Sequence, residues 1–128
     1  MPAAQQGKTV LVVEDSPASR EVVMRILRRQ GYAVEGAADA FEALLAIRRR
    51  QPDLVLLDIM MPGMDGITLL AMLHDEPATR ELPVILLTAL SDETRRERAR
   101  ELGAKEFLVK TRFSYDELLG QVEKHVRQ

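Results

Sequence analysis

DLVLLD, residues 53–58, is the stretch that decides the architecture. Leu54, Val55, Leu56 and Leu57 run without a break between two aspartates. So short and uniformly apolar a segment suits a central strand of a parallel sheet covered on both sides, since alternation is expected only where one face meets water. Upstream, TVLVV (9–13) has the same character, and so does LPVILLTA (82–89) downstream. Residues 32–37 and KEFLVK (105–110) complete five predicted strands.

The segments between them have helical spacing. Residues 17–29 carry Val22, Val23, Ile26 and Leu27 behind Ser16 as N-cap and Pro17 in the first turn, and Gly31 ends the helix. Asp39 caps a helix over 40–49 bearing Phe41, Leu44, Leu45 and Ile47, and Pro52 stops it. MMPGMDG (60–66) reads as a turn, with Met60, Met61 and Met64 packing around Pro62 and Gly63. Further helices are predicted over about 66–74, over 92–102 closed by Gly103, and over 115–127 with Leu118, Leu119, Val122 and Val126 facing inward. Strand then helix, repeated through the chain, predicts an α/β fold: a doubly wound (βα)5 parallel sheet with right-handed crossovers and helices on both faces. Residues 1–8 read as a flexible polar arm and 9–127 as one domain.

Bulk composition narrows the function. Hydrophobic residues make up 46% of the 128, enough for one real core. Lys and Arg total 18 against 20 Asp and Glu, a net charge of -2, which gives no general case for direct nucleic-acid binding. With no cysteine there is neither a disulfide framework nor thiol chemistry. No stretch approaches the length of a membrane span, and MPAAQQGK lacks the apolar run of a signal peptide, so the expectation is a cytoplasmic protein with no membrane contact.

The polar residues fall in a pattern. Glu14 and Asp15 directly follow the first strand, Asp58 ends the third, Thr88 the fourth and Lys110 the fifth. In an open parallel sheet the C-terminal strand ends line one edge, where ligands bind. Three carboxylates in one crevice repel each other, and a hard divalent cation such as Mg²⁺ relieves this with oxygen ligands alone. A carboxylate can attack phosphorus, and Asp58, alone at the end of the central strand, is the expected nucleophile. Glu14 and Asp15 read as the metal pair. Lys110 would neutralise phosphoryl oxygens and Thr88 would donate a hydroxyl hydrogen bond.

VLVVEDS (10–16), LVLLDIMMPGMDG (54–66), ILLTA (85–89) and FLVK (107–110), in this order and spacing, resemble the receiver domain of two-component response regulators over residues 9 to 127. The resemblance implies a flavodoxin-like sheet of strand order 2-1-3-4-5. It implies that Asp58 accepts a phosphoryl group from the phosphohistidine of a sensor histidine kinase or phosphotransfer domain, with Mg²⁺ bound and Mn²⁺ able to substitute. Asp15 is then a direct metal ligand, Glu14 works mainly through a water, and the Met60 carbonyl completes the protein ligands of the metal. Thr88 and Phe107 take the switch positions, Met60 and Leu90 the positions that tune phosphoryl lifetime. Both of these are apolar, so slow self-dephosphorylation is expected. The output is a change of the helix 4–strand 5–helix 5 surface that a downstream protein reads, and a phosphorylation-dependent homodimer fits the same scheme.

The chain departs from the family's pattern where a proline usually follows the lysine. Here the run is Lys110-Thr111-Arg112-Phe113. A cis bond without proline costs about 2.5–4 kcal/mol, so a trans bond or a reshaped loop is expected. This ending resembles receivers associated with chemotaxis-type histidine kinases. Two competing functions stay open, a docking module that is never phosphorylated and a small Mg²⁺-dependent aspartyl-phosphate phosphatase. The latter usually needs a second acid two residues after its nucleophile, where this chain has Met60. EDSPAS (14–19) offers no glycine-rich phosphate cradle. His74 and His125 read as surface residues, Arg48 to Arg50 as a solvated helix end, and Arg95, Arg96, Arg98 and Arg100 with Glu97 and Glu101 as a charged helix face.

Overall fold

The structure, a computed structural model, describes residues 7–59, 61, 65–88, 93–109 and 113–127. Strands β1 (Thr9–Val13), β2 (Ala33–Ala37), β3 (Leu54–Asp58), β4 (Val84–Thr88) and β5 (Glu106–Val109) alternate with helices α1 (Pro17–Arg29), α2 (Ala40–Arg49), α3 (Gly66–Asp75), α4 (Glu93–Glu101) and α5 (Tyr115–His125). The strands form one parallel sheet in the order β2-β1-β3-β4-β5. The predicted flavodoxin-like topology is therefore present.

β3 lies in the middle and every one of its residues is buried. Its side chains feed two cores. Val55 and Leu57 join Leu11, Val13 and Leu86 under α2, α3 and α4. Leu54 and Leu56 join Val10, Val12, Ile85 and Leu87 under α1 and α5. This two-sided burial is the physical reason for the unbroken apolar runs.

Side-chain caps start the helices. Ser16 accepts from the Ser19 amide, Asp39 from Glu42, Asp65 from Thr68 and Ser114 from Glu117. The caps at Asp65 and Ser114 had no part in the sequence prediction. Gly31 and Gly103 have φ of 99° and 92°, the left-handed conformation that lets the chain turn back after α1 and α4.

On α2, Ile47 and Leu44 face the core as expected, but Phe41 and Leu45 do not. Ala40, Ala43, Ala46 and Ile47 are buried, whereas Phe41 is 68% and Leu45 51% exposed. The small residues carry α2 close to the sheet, and helical periodicity then turns Phe41 and Leu45 outward. His125 is likewise no free surface residue. Its side chain is 18% exposed and its Nε2 lies 3.6 Å from a Glu106 carboxylate oxygen on β5. Residues 1–6 of the expected arm lie outside the described residues, and Lys8 already accepts a hydrogen bond from Ala33.

Candidate metal and phosphoryl site

The register of the sheet builds the site. Val13 pairs with Leu57 of β3, so Glu14, the first residue past β1, and Asp58, the last residue of β3, stand at the same level. Glu14 and Asp58 are both 2% exposed, while Asp15 is exposed. One carboxylate oxygen from each of Glu14, Asp15 and Asp58 lies within 4.8 Å of the others. The three acids predicted to converge therefore do so.

Backbone contacts fix this corner. The Glu14 amide donates to Ala37 O at the end of β2 (3.0 Å), and Arg20 Nη1 donates to Glu14 O at 2.7 Å. The Ile59 amide donates to Leu87 O (3.1 Å), holding the exit of β3 against β4. Beyond the turn the Gly66 amide donates to Ile59 O at 2.8 Å, so α3 begins directly behind Asp58. A Cβ on Gly66 would stand 2.5 Å from Asp58 O and 2.8 Å from Ile59 Cα. Only glycine permits that approach.

Thr88 ends β4 and pairs with Val109, the last residue of β5, which brings β5's exit to the same edge. Met60, Leu90 and Lys110, the other expected site residues, lie outside the described residues, as does the Lys110-Thr111 bond. Phe107 sits on β5, half-buried against the core beneath α2, α3 and α4. The guanidinium carbons of Arg96 and Arg100 stand 5.5 and 5.3 Å from its ring centroid, at cation–π distance. Part of the charged face of α4 thus covers an aromatic residue, while Arg98 pairs with Glu101 at 3.5 Å.

The donor set fits a hard cation. All three ligand atoms are carboxylate oxygens, the chemistry that suits Mg²⁺ or Mn²⁺, with none of the Cys or His ligands that favour zinc among them. Two of the carboxylates are almost wholly removed from water, where like charges are costly without a counter-charge. Beside them a cavity of about 260 Å³ opens between α1 and α5, with Glu14, Val22, Val23, Ile26, Phe113 and Tyr115 among its walls. Sequence reasoning missed Arg20 and Gly66. An arginine on a helix carries no local signal of a contact made beyond it, and Gly66 looked like an ordinary turn glycine.

Residues 10–123 match the family model of the response regulator receiver domain. The chain is 44% identical over 101 residues to the response regulator PleD of Caulobacter vibrioides, covering 79% of this chain and 22% of PleD. It is 37% identical over 122 residues to the phosphate regulon transcriptional regulatory protein PhoB of Escherichia coli K12, covering 95% of this chain and 53% of PhoB. It thus spans about half the length of PhoB and less of PleD. Among solved structures, the signal receiver domain of a histidine kinase from Syntrophus aciditrophicus superposes with a TM-score of 0.84 at 37% identity, over 92% of this chain and 89% of that one. A Mn²⁺-bound form of the response regulator Rcp1 superposes at 0.80 with 26% identity, over 91% and 92% of the two chains.

The chain belongs to the response regulator receiver domain family. Such a domain is the phosphoacceptor switch of two-component signalling. Among the described residues no helix is long and apolar enough to cross a membrane.

Proposed function

We propose that Asp58 is the phosphoacceptor, with Glu14 and Asp15 holding Mg²⁺ beside it. The carrying observation is the trio of carboxylate oxygens within 4.8 Å at the end of the central strand. An Asp58 oxygen attacks the phosphorus of a partner's phosphohistidine. The new P–O bond forms as the P–N bond breaks, and the imidazole leaves with the electron pair. Bound Mg²⁺ supplies positive charge against the acids and the incoming phosphoryl oxygens. Asp15, the exposed acid, would be the direct ligand and the Met60 carbonyl the backbone ligand, while buried Glu14 would work mainly through a water.

Thr88 and Lys110 donate to the phosphoryl oxygens in this reading. The mostly apolar cavity between α1 and α5, which has Glu14 in its wall, is in this reading the surface on which the phosphodonor protein docks. Phosphorylation then changes the α4–β5–α5 surface through Thr88 and Phe107, whose ring lies under Arg96 and Arg100. That surface is read by a downstream protein or a second copy of the chain. Met60 and Leu90 offer no side chain to orient water, which favours a long-lived phosphoryl group. The Lys110-Thr111 ending keeps association with a chemotaxis-type kinase as the pathway reading. The missing proline also leaves open a second reading, a docking module that is never phosphorylated, against which the intact set of acids, Thr88 and Lys110 argues.

Intact mass after incubation with acetyl phosphate separates the two. A Mg²⁺-dependent gain of one phosphoryl group, absent in Asp58→Asn, is the expected result. No gain from acetyl phosphate or from a panel of histidine kinases favours the docking module.

A further inference from the structure

We infer that Arg20 is a positioning residue for the cation site, acting through the peptide that joins Glu14 to Asp15. The inference rests on reading Glu14, Asp15 and Asp58 as that site. Asp15 is exposed, so packing does not hold it in place. It stands near two other carboxylates, whose charge repels it when no cation is bound. What limits it is the backbone just before it. Glu14 N–H is tied to Ala37 O, and Glu14 C=O is tied to Arg20 Nη1 at 2.7 Å. The second bond fixes the plane of the Glu14–Asp15 peptide, and with it the direction in which Asp15 leaves the chain.

The path of Arg20 is shaped for this. It starts on α1 and passes over β2 at Gly36, where a Cβ would stand 3.1 Å from Arg20 Cδ and 3.3 Å from Nε, and 2.9 Å from Met24 Sδ. Gly36 has the space of a missing side chain, and Arg20 and Met24 occupy it. A half-buried arginine directed to a single backbone carbonyl beside the acid cluster is a charge-assisted support of the kind that orients ligands from behind.

Positioning and plain electrostatics predict opposite signs. A guanidinium near the cluster repels a cation, so if charge alone mattered its removal would tighten binding. If Arg20 aims Asp15, its removal loosens binding. The test is calorimetric titration of the whole chain with Mg²⁺, beside thermal unfolding of the metal-free protein. Arg20→Met keeps the stem and is expected to weaken Mg²⁺ about tenfold. Arg20→Lys, which keeps a charged donor, should recover most of that loss. Gly36→Ala should weaken Mg²⁺ in the same direction by displacing the Arg20 stem, and it carries the test should Arg20→Met not fold. Unchanged or tighter Mg²⁺ binding in folded Arg20→Met, even with a lowered melting temperature, overturns the inference. Wild-type protein that binds no Mg²⁺ overturns the cation-site reading beneath it, so the two failures are told apart.

Discussion

β3 begins beside one aspartate and ends on another, and the two live differently. Asp53, at the N-terminal edge of the sheet, has its carboxylate engaged by a neighbour, with Oδ2 accepting the Thr9 amide at 2.8 Å. Its backbone amide donates to Thr9 O, and its carbonyl accepts from the Arg127 amide near the chain's far end. Arg127 in turn reaches Gln51 at 2.7 Å. That edge is sewn shut. Asp58, at the other end of the strand, is buried among acids. The same side chain thus fastens one edge and concentrates negative charge at the other. A strand-end aspartate is informative only through its company: one beside a strand-start amide is a clasp, one beside two further carboxylates is a place for a cation.

Three measurements test this contrast, beginning with the largest effect. Mg²⁺ at a hundredfold excess over its dissociation constant should stabilise the wild type and Asp53→Ala alike, by about 2.7 kcal/mol. Asp58→Asn should lose most of that gain. Equal stabilisation of all three in denaturant titrations would erase the distinction between the edges. Next, Gly66→Ala should cost about 2 kcal/mol, because its Cβ meets the Asp58 backbone and cannot be relieved by a side-chain rotation. A neutral result would mean that α3 can back away from the acid edge. Last, Asp53→Ala should cost about 1 kcal/mol by leaving the Thr9 amide without its acceptor. Its Mg²⁺ affinity should not change, and any loss would show that the two edges are coupled through β3.

The sequence made the sheet legible because burial on two sides leaves a simple mark, the unbroken apolar run. Leu54 to Leu57 could hardly be anything else, and the order of acids after strands followed from topology. Boundaries shifted where a local feature intervened. β4 starts at Val84, after Pro83, which has no amide to give. Helix α2 was harder, since its inward face is alanine and a reading that follows the largest hydrophobic residues chooses Phe41 and Leu45. The carboxylate trio was legible, but its supports were not. Arg20 reaches Glu14 across β2, and Gly66 backs Asp58 from beyond a turn, contacts that depend on three-dimensional approach and leave no periodic trace.

The pairing of Val13 with Leu57 has one more consequence. The acids come from separate strands that no local contact forces to the same height. Sliding one strand past its neighbour by a single residue would displace its acid by about 3.3 Å, comparable with the spread of the whole cluster. Cation affinity is therefore a ruler laid across the middle of the sheet. Followed during refolding, it would date the moment at which β1 and β3 settle into their final alignment.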